Sequence, residues 1–357
     1  DRWPQGGPES RAAGEGAGAF YRGDLAKTIA RYHERAGGLI RYDDLAEFQA
    51  LAKDGLDFAL FTLQVFKDIV LKNDAYVKLI TSDDYTHKTY YMGTVDANNK
   101  VNFYDGLIRV VDPDGREFVK YPAKDYAQHI AERVESWTYL KYPYLKNVGW
   151  KGLVDGKDSG VYCATPLSRL NAADGMATPR AQEHFDRMYA TLGSTKVNGR
   201  YQPIHHRLVT HWARLIELLY AAERMLELAN DPEITSPDVR KIPEKIAGEG
   251  VGSVEAPRGT LTHHYVSDER GVLKQVNLIV GTTNNYAPIS MSIKRAAEKL
   301  IAKGNVSEGI LNKIEMAFRL YDPCFSCATH SLPGQMPLLV NIHDAKGQLV
   351  QTLRQDG

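Results

Sequence analysis

The chain has 357 residues, of which 43% are hydrophobic and 25% charged, a composition typical of a globular protein rather than a disordered one. Lys plus Arg and Asp plus Glu both total 44, so the formal net charge is zero, which argues against nucleic-acid binding as the main role. No apolar stretch approaches the ~18 residues of a membrane span, and no apolar signal segment opens the sequence. Three cysteines are too few for a disulfide framework and predict a reducing, cytoplasmic location.

The first half of the chain mixes helical and strand patterns. Apolar spacing predicts helices over residues 25–36, 45–51 and 56–71. Alternating residues around polar turns then predict hairpins over 90–104 and 107–121. An amphipathic helix with a tyrosine-rich connector is predicted at about 124–146.

The second half continues the same mixture. The longest helical pattern covers 207–229, and a loop is predicted over 234–258. Further predicted elements are a strand pair over 260–266 and 272–280, helices over 292–303 and 308–320, and a hairpin over 338–353. The predicted fold class is therefore α+β and mainly helical, with a helical core and peripheral β-hairpins.

A Cys-x-x-Cys pair near the end of the chain is the strongest chemical signal. Cys324 and Cys327 bring two soft sulfurs within reach of one ion, and His330 adds a third donor. Thiolates select zinc, iron, copper(I) or nickel over hard cations. Half of a structural zinc site is one interpretation, although zinc usually takes four ligands. The third cysteine, Cys163, lies between apolar neighbours and is predicted to be a buried thiol.

Several ordered motifs carry a resemblance to a known family. The segment Asp322-Pro323-Cys324-x-x-Cys327-x-x-His330 resembles the C-terminal metal-binding motif of nickel–iron hydrogenase large subunits. Glu255-Ala256-Pro257-Arg258-Gly259 resembles the active-site arginine segment of that family, and 278–285 resembles the segment that lines its iron ligands. Residues 170–179 and the 207–229 helix are similar to the cytoplasmic branch that is coupled to heterodisulfide reductase or nicotinamide-reducing modules. The likeness covers roughly residues 51–357.

The resemblance implies a metal centre in which nickel is bridged by cysteine sulfurs to an iron that carries cyanide and carbon monoxide. It makes Cys324 the terminal nickel thiolate and a proton acceptor, Cys327 the bridging thiolate, and His330 a ligand of an outer magnesium or iron ion. The implied activity is reversible, heterolytic oxidation of dihydrogen. Electrons would pass to a small subunit with iron–sulfur clusters and on to electron-transfer modules.

The resemblance also assigns residues around the metals. Arg258 is expected to extend its guanidinium over them and Asp322 to hold Arg258 through a charge-assisted pair. Thr282 and the backbone at Pro257 are expected to hydrogen-bond the cyanides. Residues 331–357 resemble the C-terminal extension that a maturation protease removes in this family.

The N-terminal Arg-x-Cys-Gly-x-Cys motif of the family does not occur in these 357 residues. An inactive scaffold subunit or a fragment that lacks a complete metal centre, or a simple zinc-binding protein, therefore remains an alternative. Residues 15–50 instead resemble a segment of gamma-glutamyltransferase without its Thr-Thr-His nucleophile. We predict a helical appendage over 1–50 and a truncated large-subunit-like domain over 51–357.

Overall fold

The computed structural model describes residues 27, 30, 31, 35, 42–138, 140–231, 233, 245–302, 304, 306–325 and 338–355. The chain divides into two compact units. One comprises Asp1–Ile69, Thr178–Ala181 and Leu215–Lys245, and the other comprises Val70–Ala177, Gln182–Arg214 and Ile246–Gly357. Within the described ranges, no helix has the length and apolar character needed to cross a membrane.

The helices are α1 Tyr42–Phe66, α2 Asp74–Ile80, α3 Tyr126–His129, α4 Pro166–Ala172, α5 Pro179–Thr191, α6 Thr210–Ala229, α7 Tyr286–Leu300 and α8 Glu308–Arg319. The first eight strands are β1 Tyr90–Val95, β2 Lys100–Val101, β3 Leu107–Val111, β4 Glu117–Tyr121, β5 Ile130–Val134, β6 Lys141–Leu145, β7 Tyr162–Cys163 and β8 Gly175–Met176. The others are β9 Lys196–Val197, β10 Arg200–Tyr201, β11 Glu249–Ala256, β12 Gly259–Ser267, β13 Leu273–Ile279, β14 Leu338–His343 and β15 Leu349–Gln355.

The first unit is built on α1, which is one continuous helix where two were predicted. Its buried residues recur at helical spacing along one face, namely Ala52, Leu56, Ala59 and Leu63. The gap between the two predicted helices contains Gly55, and a Cβ there would lie 2.7 Å from Cε of Met225. Gly55 therefore lets the side chain of Met225 pack closely against α1, and it does not end the helix.

The predicted domain boundary after residue 50 falls within α1, which runs through it without a break. The boundary itself stays a prediction. Most of the predicted helix over 25–36 lies outside the described residues, although residues 27, 30, 31 and 35 are helical.

The second unit contains a six-stranded sheet in the order β4-β3-β1-β2-β8, with β7 paired to β1. Strand β1 runs antiparallel to β3 and parallel to β7, so that Tyr91 lies opposite both Val111 and Cys163. All six residues of β1 are buried. The α+β class is confirmed, but this sheet belongs to the core, whereas the prediction placed the hairpins at the periphery.

Two segments differ from their predicted secondary structure. The amphipathic helix expected within 124–146 is limited to the four residues of α3, and the hairpin β5–β6 occupies much of the segment where a tyrosine-rich connector was expected. The loop expected over 234–258 contains the strand β11, which pairs with β12 along its whole length. Glycine and polar residues hide this strand in the sequence, because its β-structure depends on the partner strand rather than on apolar alternation.

The elements that lead to the C-terminal motif follow the predictions closely. Helix α8 begins after Ser307, whose Oγ accepts a hydrogen bond from the amide of Ile310 at 3.4 Å. Helix α7 begins at Tyr286, earlier than predicted, because Pro288 is tolerated in the first turn. Residues of α7, α8, β1 and β7 share one apolar cluster, which places the end of α8 against the sheet.

Candidate functional site

A two-residue turn between β11 and β12 carries Pro257 and Arg258. We call these two residues the arginine turn. The strands pair up to Ala256 and Gly259, which fixes both ends of the turn. Gly259 has a φ of 153°, and a Cβ at this position would lie 2.5 Å from the carbonyl oxygen of Gly281. Glycine is therefore required for the arginine turn to pack directly on the backbone at residue 281.

Arg258 lies beside Asp322, as the resemblance implied, but the closer contact is with the backbone. Nε of Arg258 donates to the carbonyl oxygen of Asp322 at 2.6 Å and lies 3.4 Å from its Oδ2. The two side chains are 39% and 49% exposed. An ion pair this exposed contributes little to stability, about 1 kcal/mol at most. The carbonyl contact is therefore the one that fixes the position of Arg258.

Thr282 connects a second segment to the same place. It follows β13 in a turn and is 3% exposed. Its Oγ1 accepts a hydrogen bond from the amide of Cys324 at 3.1 Å. The structure thus brings the arginine turn, Thr282 and residues 322–324, which we call the Asp-Pro-Cys turn, to one location.

The predicted ligands Cys327 and His330 lie outside the described residues. Within the described part of the chain, no group of three or more His, Cys, Asp or Glu side chains is arranged to hold a metal ion. Cys324 is half-buried at the start of the motif. The described part of the site therefore consists of Cys324 and the residues that surround the predicted metal ligands.

Two adjacent asparagines, which sequence reasoning did not single out, fasten the segments of the site together. Asn285 is fully buried; its Oδ1 accepts from the amide of Ala164 at 2.8 Å, and its Nδ2 donates to the carbonyl of Arg258 at 2.7 Å. Asn284 donates to the carbonyl of Thr260 at 2.6 Å. Two amides next to each other, directly after two threonines, were the available signal, since buried polar groups need partners.

A buried ion pair supports the arginine turn from below. Nη1 of Arg169 lies 3.2 Å from Oε2 of Glu255, and both side chains are 1% exposed. Arg169 also donates to the carbonyls of Ala256 at 2.9 Å and of Pro257 at 3.3 Å. The guanidinium of Arg169 therefore fixes the backbone that immediately precedes Arg258. Sequence analysis missed this pair because its members are 86 residues apart.

The third cysteine does not join the candidate ligands. Cys163 is free and fully buried, with its Sγ 3.5 Å from Oδ1 of Asn285 and 3.6 Å from Oγ1 of Thr165. It belongs to the apolar cluster around β1. The prediction of a buried packing thiol is confirmed, so the candidate ligands are the two cysteines and one histidine of the 322–330 motif.

The comparisons with known proteins agree on one family. The family model for nickel-dependent hydrogenase matches residues 138–330. The chain is 48% identical over 316 residues to an iron-sulfur subunit of the F420-non-reducing hydrogenase of Archaeoglobus profundus, covering 88% of this chain and 63% of that protein. It is 39% identical over 299 residues to the beta subunit of the NAD-reducing hydrogenase HoxS of Cupriavidus necator, covering 83% of this chain and 57% of that protein.

Solved structures give the same result. The crystal structure of an NAD⁺-reducing [NiFe]-hydrogenase in the H2-reduced state matches with a TM-score of 0.70 and 31% identity, covering 81% of this chain and 60% of that chain. A [NiFeSe]-hydrogenase from Dm. baculatum shares the fold with a TM-score of 0.53 at 18% identity. The chain therefore spans about 60% of the length of these relatives.

Proposed function

The chain belongs to the nickel-dependent hydrogenase family, and we propose that it supplies the C-terminal half of the active site of a large subunit for reversible, heterolytic oxidation of dihydrogen. The observation that carries the proposal is the convergence of three separate segments: Nε of Arg258 on the carbonyl of Asp322 at 2.6 Å, and Thr282 on the amide of Cys324 at 3.1 Å. These segments are the ones that the family resemblance assigns to the active site.

The proposed metal ligands are Cys324, Cys327 and His330. Cys324 and Cys327 would hold nickel, with iron carrying cyanide and carbon monoxide beside it, and His330 would hold an outer magnesium or iron ion. The nickel–iron centre, when bound, supplies the electrophile that polarises dihydrogen. As a thiolate, Cys324 would accept the proton that leaves dihydrogen and hold it as a thiol.

The surrounding residues would orient and stabilise this chemistry. The cation of Arg258 is held by the carbonyl of Asp322, so its position does not depend on the Asp322 carboxylate alone. A preorganised cation in such a place stabilises charge that develops during bond cleavage. The hydroxyl of Thr282 accepts from the amide of Cys324, which leaves its hydrogen for the proposed bond to a cyanide. The backbone at Pro257, held by Arg169, is the second proposed cyanide contact.

The donors in these 357 residues do not complete the centre by themselves. The sequence has three cysteines, and Cys163 is fully buried in the core, so two cysteines remain for a site that the family builds from four. We propose that the remaining thiolates of the centre are supplied from outside these 357 residues, and that a small subunit with iron–sulfur clusters and its electron-transfer modules accept the electrons. We further propose a cytoplasmic location and removal of residues 331–357 by a maturation protease.

The test is the metal content of the full chain purified after co-expression with hydrogenase maturation factors. We expect nickel and iron to co-purify with the wild-type chain, and Cys327→Ser to abolish nickel retention because one of two available thiolates is lost. Cys163→Ser is the matched control and should retain nickel, since this thiol lies in the apolar core. Nickel retention by Cys327→Ser would remove the motif from the metal site.

Because these 357 residues contain three cysteines, a second candidate is a scaffold subunit, or a fragment, in which no dinuclear centre forms. A simple zinc site formed by the same three ligands is the related outcome. One zinc per chain with no nickel would support the zinc site, and no bound metal with intact folding would support the scaffold.

A further inference from the structure

A chain of four buried polar side chains lies behind the Asp-Pro-Cys turn and is not used by the proposed function. It consists of Arg207 before α6, His87 before β1, Ser292 in α7 and Tyr321 after α8, and we call it the Arg207 chain. All four are buried, with exposures of 1%, 3%, 0% and 1% in that order. Tyr321 is the residue that immediately precedes Asp322.

The hydrogen bonds of the Arg207 chain have one direction. Nη2 of Arg207 can only donate, so Nδ1 of His87 accepts from it at 3.2 Å. Burial and the nearby Arg207 cation hold the pKa of His87 well below its usual value, so the ring is neutral and carries its hydrogen on Nε2. Nε2 then donates to Oγ of Ser292 at 2.7 Å. Ser292 donates to the hydroxyl of Tyr321 at 2.8 Å, and Tyr321 donates to the carbonyl of Pro288 at 3.1 Å.

The direction of these hydrogen bonds is set by the buried guanidinium of Arg207. Among the described residues no carboxylate forms an ion pair with Arg207, and its Nε and Nη1 make no hydrogen bond. Its guanidinium instead lies 5.3 Å from the ring centroid of Tyr91 and donates to Oγ1 of Thr89 at 2.9 Å. A buried, incompletely paired cation is costly. Its donors therefore bind any neighbouring acceptor strongly, which fixes the orientation of His87.

The far end of the Arg207 chain explains what this orientation holds in place. The hydroxyl of Tyr321 accepts from Ser292 and donates to Pro288, both in α7, and it also lies 3.4 Å from Nε2 of His87. The next residue, Asp322, presents the carbonyl that Arg258 binds. Because the chain of donors ends on a backbone carbonyl, it orients groups and does not carry protons to a titratable site.

We propose that Arg207, His87, Ser292 and Tyr321 are positioning residues that fix the entry of the Asp-Pro-Cys turn, and through it the Arg258 contact and the Cys324 ligand. The significance of this positioning role for nickel binding rests on the proposed function, whereas the role in fixing the Asp-Pro-Cys turn can be tested without metal. No member of the Arg207 chain touches the reacting atoms.

The geometric test compares amide hydrogen exchange of the full-length chain in the wild type and in Tyr321→Phe. Peptides covering 320–325 should exchange about tenfold faster in the variant, because losing one buried hydroxyl removes about one hydrogen bond's worth of local stability. Peptides of β1 should be unchanged. Tyr189→Phe is the matched control, since it removes a buried hydroxyl that bonds Asn171 at 2.8 Å away from the turn. Unchanged exchange at 320–325, or equal acceleration in Tyr189→Phe, would overturn the proposal.

A second measurement separates this proposal from the proposed function. When the two variants have the same thermal stability, Tyr321→Phe should retain several-fold less nickel than Tyr189→Phe. A global loss of stability alone would not produce this difference. If the wild type binds no nickel, the proposed function fails while hydrogen exchange still decides the positioning role. Should Tyr321→Phe fold poorly, Ser292→Ala interrupts the same chain and is expected to accelerate exchange at the same peptides. Unchanged hydrogen exchange at these peptides in Ser292→Ala would count against the positioning role of the Arg207 chain.

Discussion

Replacing Glu255 by glutamine tests how much the site depends on its buried ion pair. The carboxylate uses both oxygens: Oε2 faces Arg169 at 3.2 Å, and Oε1 accepts from the amide and hydroxyl of Thr94 at 2.7 and 2.8 Å and from the hydroxyl of Thr260 at 3.0 Å. A glutamine keeps one acceptor oxygen and replaces the other by an NH2 group. Whichever way the amide turns, two donors then face each other.

The expected loss is large because the remaining charge is buried. Arg169 is 1% exposed, and removing one partner of a buried pair typically costs about 3–5 kcal/mol. For a protein of this size that corresponds to a fall in Tm of about 5 °C. The backbone of the arginine turn should loosen as well, since Arg169 holds the carbonyls of Ala256 and Pro257.

Urea unfolding of the full chain measures the effect, with Glu298→Gln as the control. Glu298 lies 3.9 Å from Lys294 in an exposed pair on α7, so its loss should cost only a few tenths of a kcal/mol. The double variant Glu255→Gln with Arg169→Met should lose less than the sum of the single losses, because no unpaired charge remains. A loss for Glu255→Gln as small as that of the control would refute the assignment of the pair as a structural anchor.

Arg258→Lys should lower hydrogen turnover at least about tenfold while nickel content stays constant, because an ammonium does not reproduce the planar guanidinium; equal turnover would exclude Arg258 from the mechanism. Gly259→Ala should destabilise the chain by about 3 kcal/mol or more, since the new Cβ would lie 2.5 Å from the Gly281 carbonyl, whereas Gly250→Ala in the same hairpin meets open space. Urea unfolding checks both, and similar losses would contradict the packing argument. Burial lowers the pKa of His205 from 6.5 to about 3, so its contribution to stability is fully present above about pH 6.5 and is lost as the pH falls toward 3. His205→Gln should flatten the stability curve there by up to about 1.4 kcal/mol per pH unit, and superimposable curves would show that this histidine is not the cause.

The parts of the fold that the sequence predicted well are those whose pattern is local. Helix α6 has a broad apolar stripe, β12 and β13 are joined by a polar turn, and Ser307 caps α8 as expected. Strand β11 has no such pattern, because its residues become a strand through pairing with β12. The pairing partner, and not the segment itself, determines its structure.

The residues of the site likewise divide into those that the sequence could predict and those that it could not. The resemblance to a family predicted that Arg258, Thr282 and Asp322 lie together, and the structure places them in contact or in adjacent segments. The role of Asn285 could not be assigned this way, because its partner Ala164 is 121 residues away and the adjacent pair of Asn284 and Asn285 does not reveal which groups it bonds. Long-range hydrogen bonds of this kind depend on the folded backbone and have no short-range sequence signal.

The backbone of Asp322 shows why the arginine acts on structure and charge together. Asp322 has a φ of 50°, in the left-handed region, and precedes Pro323, where an extended conformation is usual. That conformation costs on the order of 1 kcal/mol and persists only where the surroundings enforce it. Here the amide of Asp322 donates to the carbonyl of Arg319 at 2.9 Å and its carbonyl accepts from Arg258 at 2.6 Å. The same guanidinium is proposed to face the metals. A variant that moves it therefore removes a charge from the metal site and also releases the strained Asp322 that leads into Cys324. Measuring both metal content and turnover separates the loss of charge from the loss of structure.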